Sequence, residues 1–141
     1  MSRHFSGLYV WAAVELVTGG ALSWGAWTLL PQVYRHANSR LDDWLAASAL
    51  ALAGPAIFAA GLATLFHRRL PDGLVRGAQI VAGIAEAWMI LAGAGIVMVG
   101  RRRGGDWAGF TILGGTVFLA AGVLLLLVSL FGLRYLSRLR T

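Results

Sequence analysis

The chain has 141 residues, 58% hydrophobic and 13% charged, with a mean hydropathy of +0.72, a net charge of +6 and no cysteine. Soluble domains run nearer 45–50% apolar and about a quarter charged, and disordered chains are poorer still in apolar residues, so both classes are excluded. Without cysteine there is neither a disulfide framework nor a thiolate site, which leaves an all-α polytopic membrane protein forming a single membrane domain over residues 1–141.

Four apolar stretches, residues 8–30, 44–66, 78–100 and 108–133, follow one another along the chain. Each is long enough to cross a hydrocarbon core of roughly 30 Å at a rise of about 1.5 Å per residue. Being apolar on both parities, they read as helices rather than barrel strands. The expected architecture is therefore a bundle of four transmembrane helices. The first stretch follows Arg3 but carries Glu15 and has no small-residue cleavage pattern before Pro31. It reads as a retained helix rather than a removed signal. The second contains Gly54-Pro55, where proline frees a carbonyl and predicts a kink. Between the stretches lie three polar segments, 31–43, 67–77 and 101–107, each with Arg and Asp.

All twelve basic residues are Arg. With four crossings, one face holds Arg3, Arg68, Arg69, Arg76, Arg134, Arg138 and Arg140, and the other Arg35, Arg40 and Arg101–Arg103. The excess places both termini in the cytoplasm, in a membrane of the bacterial inner type. Arg101, Arg102, Arg103, Arg134 and Arg138, at helix ends, suit anionic lipid headgroups. No ordered basic and aromatic surface points to nucleic acid.

The acids are distributed unevenly. Asp42, Asp43, Asp72 and Asp106 lie in the polar segments, whereas the two glutamates, Glu15 and Glu86, fall inside the first and third stretches. Both are seven or eight positions in from the same face, which predicts matched depth, roughly 11–12 Å below that face at about 1.5 Å per residue. An acid near mid-membrane costs on the order of 2.5–3.5 kcal/mol by insertion scales and turns inward to a partner. Such a pair can exchange protons or hold a cation. It can equally be structural, protonated and bonded to a neighbouring hydroxyl, amide or carbonyl. Thr18, one turn from Glu15, and Gln79, on the face of Glu86, are candidate supports, as is Trp88 beside it. Small residues flank both acids and permit close helix approach.

His4, His36 and His67 sit at ends or in polar segments, so haem held between facing helices is not expected. Nor does any spacing match a metal signature. No cofactor is expected. The serines have no nucleophile context, which argues against an enzyme. The expected function is a small proton- or cation-coupled transporter or channel using Glu15 and Glu86. The alternative is a non-catalytic accessory or assembly subunit. Expected partners are the lipid bilayer and either further copies, as a homo-oligomer, or a larger membrane complex.

Overall fold

The computed structural model describes residues 2–35, 40–106 and 108–138. It consists of four helices: α1 (Ser2–Arg35), α2 (Leu41–Leu65), α3 (Asp72–Arg103) and α4 (Ala108–Arg138). Three of them, α2, α3 and α4, are long and apolar enough to cross a membrane. Of the four expected spans, α1 stands apart. It has 34 residues, but Glu15, Thr18 and Ser23 dilute its apolar stretch.

Each helix outruns the apolar stretch that announced it. α1 continues through Pro31 to Arg35. A proline this close to a helix end removes the bond to the carbonyl four residues back and little more. α2 likewise runs unbroken through Pro55, whose ring faces outward. Asp42 and Asp43 occupy the first turn of α2, and the Arg40 amide donates to Asp43 Oδ2 at 3.1 Å. Acidic groups there complement the helix dipole. α3 opens after Pro71 with Asp72 in its first turn and closes on Arg101, Arg102 and Arg103, with charges of the sign each terminus favours. Gly104, at φ 61°, ends it in the left-handed region that glycine occupies without strain.

Arg103 also pairs with Asp42 across the α2–α3 end at 3.5 Å. Both side chains keep some solvent contact, so screening limits the gain. Arg103→Ala is expected to change stability by less than about 1 kcal/mol, read as a thermal midpoint in detergent.

The helices pack in chain order, each antiparallel to the next. Along the first interface Gly61 meets Leu16, Gly54 meets Ser23 and Gly25 meets Leu50. Between α2 and α3, Thr64 pairs with Gln79 and Ser48 with Trp88. Between α3 and α4, Gly83 faces Leu126, Gly93 faces Leu119 and Gly100 faces Ile112. The core is built mainly from small side chains: Ala49, Ala53 and Ala60 of α2 against Ala82, Ala85 and Ala92 of α3, with Ile57 and Met89 between them. Small residues let backbones approach closely where lipid removes any hydrophobic drive between helices.

α4 is the least enclosed helix and turns Leu113, Leu124 and Phe131 outward. It reaches α1 where the Trp11 ring covers Gly132 and Gly7 lies against Tyr135. Alongside these contacts a groove of about 790 Å³ separates the two helices.

Candidate functional site

Glu15 and Glu86 are both interior, 3% and 1% exposed. The face of α1 that carries Glu15 also carries Leu8, Trp11, Ala12 and Ala26, all buried, so the helix turns its one acid towards its neighbours. On α3, Gln79, Ala82, Glu86, Met89 and Gly93 form a buried stripe at helical spacing.

Gln79 is the hub. Its Nε2 donates to Glu15 Oε2 at 3.0 Å and to Thr64 Oγ1 at 2.8 Å, with the Ala60 carbonyl at 3.5 Å. One amide thereby ties α1, α2 and α3 together. Glu86 has a separate partner: Ser129 of α4 donates its hydroxyl to Glu86 Oε1 at 2.8 Å. The two carboxyl groups are not bonded to each other.

They are also not level. Glu15 sits beside Gln79, which lies seven residues before Glu86 on α3, about 10 Å along the axis at about 1.5 Å per residue. Matched depth, expected from counting along each helix, gives way to two heights because α1 is shifted along its axis against α3.

The polar atoms around these acids do not balance. Gln79 Nε2 and the Ser129 hydroxyl are already engaged as donors. Three buried acceptors, Glu15 Oε1, Gln79 Oε1 and Glu86 Oε2, have no hydrogen-bond partner among the described residues. A buried acceptor without a donor costs about 1–3 kcal/mol. The Trp11 indole N–H is buried one turn before Glu15 on the same face, a donor beside the acid that falls short of hydrogen-bond geometry. What would complete the site is therefore a proton on a carboxyl group, a water molecule or a small cation.

Of the expected supports, Gln79 belongs to the cluster, but through Glu15 on another helix. Thr18 is half-buried and lies outside this bond network. Trp88 points away from Glu86: it is 37% exposed and donates to Ser48 Oγ at 3.1 Å. Two positions along a helix turn a side chain to another face. Thr64, Ser129 and Trp11 are the members that sequence reading missed. As isolated residues in apolar stretches they carry no signal until the facing helix is known. Arg101, Arg102, Arg134 and Arg138 are exposed at the ends of α3 and α4, and Arg103 is engaged with Asp42. His36 lies outside the described residues, while His67 closes α2 with its Nδ1 2.9 Å from the Thr64 carbonyl.

Compared with protein-family models, with curated proteins and with solved structures, the chain matches none.

Proposed function

We propose that this is an integral membrane protein of four spans, α1 included, in which Glu15 and Glu86 pass protons or hold a small cation during transport. The observation that carries the reading is the donor deficit: two buried acids and an amide present three acceptor oxygens that have no hydrogen-bond partner among the described residues. The difference in height supports stepwise movement, with Glu15 and Glu86 as successive stations along the bundle axis. A proton crossing between them needs an intervening carrier such as water, which fits polar sites short of partners.

α1 qualifies as a span once the direction of its side chains is considered. Glu15 turns onto Gln79, whereas Val10, Val14, Val17, Trp24 and Trp27 are exposed and apolar. The surface offered to lipid is therefore greasier than the helix average. Both termini then share the face richer in Arg, on the cytoplasmic side of a bacterial-type inner membrane.

A second reading has its own support. Gln79 joins three helices and Ser129 joins the fourth. The same bonds would serve an accessory subunit of a larger complex, in which the acids are permanently protonated structural links.

Reconstitution separates the two readings. Liposomes holding the full chain and a pH-sensitive dye should show proton flux, alone or coupled to Na⁺ or K⁺. Glu15→Gln and Glu86→Gln, each folded by circular dichroism, should each lower that flux at least tenfold, since Gln cannot exchange a proton or bear charge. Absence of flux from the parent protein, or flux untouched by both substitutions, leaves the structural reading standing.

A further inference from the structure

We propose that the groove between α1 and α4 is a binding site for one anionic phospholipid, its acyl chain along the apolar wall and its phosphate at Arg134 and Arg138. The groove, about 790 Å³ in volume, is walled by Val10 and Val14 of α1 and by Val128 and Phe131 of α4. Arg134, Tyr135 and Arg138 line it towards the end of α4. From Val128 to Arg138 the helix rises about 15 Å at about 1.5 Å per residue, enough for a length of acyl chain with the headgroup at the rim.

Charge selects the occupant. Arg134 and Arg138 are four residues apart, so both line the groove from one face of α4. Guanidinium binds phosphate oxygens in a paired geometry, which matches an anionic headgroup at this end. A hydrophobic cation fits the wall but not this end. A zwitterionic lipid brings its own positive group beside the two arginines. At Gly7 and Gly132 the missing side chains let the Tyr135 and Trp11 rings lie close against the helix backbones, and these rings line the groove. This site is separate from the acid cluster, from which Trp11 divides it: the ring lines the groove and belongs to the Glu15 face.

The test is native mass spectrometry of the full chain, released in mild detergent from membranes of equal phosphatidylglycerol and phosphatidylcholine. One phosphatidylglycerol per chain should be retained in preference to phosphatidylcholine. Arg134→Gln with Arg138→Gln should weaken that retention roughly thirty-fold, the factor for two basic side chains at an anionic surface. Arg35→Gln with Arg76→Gln removes as much charge away from the groove and should leave retention as it was. Val128→Trp, which fills the groove with both arginines intact, should displace the lipid. Equal retention of the two lipids overturns the proposal. So does equal loss in the two arginine pairs, survival of lipid in Val128→Trp, or a second copy of the chain in place of lipid.

Discussion

Gln79→Leu should destabilise the protein by about 2 kcal/mol or more, although the change removes little volume and adds no charge. The loss follows from the donor count. Leu takes away the hydrogens that satisfy Glu15 Oε2 and Thr64 Oγ1, leaving both oxygens of a buried carboxyl group without a donor. Removing one partner exposes the desolvation cost of the other, whereas replacing both by apolar groups can be nearly neutral. The double variant Glu15→Leu/Gln79→Leu should therefore recover much of the loss. The measurement is a double-mutant cycle of detergent or thermal unfolding. Simple addition of the two single losses would show that Glu15 and Gln79 do not act as a bonded pair.

The second large effect concerns two pairs of adjacent glycines with opposite surroundings. A Cβ on Gly19 would collide with the Phe58 backbone, and one on Gly115 would lie 2.8 Å from the Gly93 carbonyl and the Val97 amide. Gly20 and Gly114, next to them, have open space. Helices must part to admit the methyl group at Gly19 or Gly115. Gly19→Ala and Gly115→Ala should each cost on the order of 3 kcal/mol, because backbone cannot yield as a flexible side chain does. Gly20→Ala and Gly114→Ala should be neutral or gain up to about 1 kcal/mol from helix propensity. Unfolding midpoints of the four variants decide the matter. Equal tolerance at Gly19 and Gly20 would contradict the α1–α2 register, and at Gly114 and Gly115 the α3–α4 register.

These glycines also show where sequence reading stops. The apolar stretches gave the number and order of the helices, since hydropathy reports what lipid demands of a segment. They did not give the ends: residues 31–35, 72–77 and 101–103 lie in the charged segments between the stretches yet are helical, because a helix continues beyond the apolar layer. The inward placement of Glu15 and Glu86 was legible from the cost of burying an acid in hydrocarbon. Their partners were not. Gln79 was on a face already singled out, but its bond to Glu15 depends on the axial shift between α1 and α3, and no single helix encodes that. Trp88, two positions along α3 from Glu86, is turned by helical spacing to another face, and its partner Ser48 lies on α2.

The consecutive packing of the four helices bears on biogenesis. Every major interface joins an element to the one synthesised just before it, so each new helix finds its docking surface already waiting. The exceptions are the long-range ties. Glu15 emerges early, but its amide donor is encoded 64 residues later, so the nascent α1–α2 hairpin holds an unsatisfied acid until α3 arrives. The contact of Trp11 with Gly132 joins α1 to a helix encoded still later.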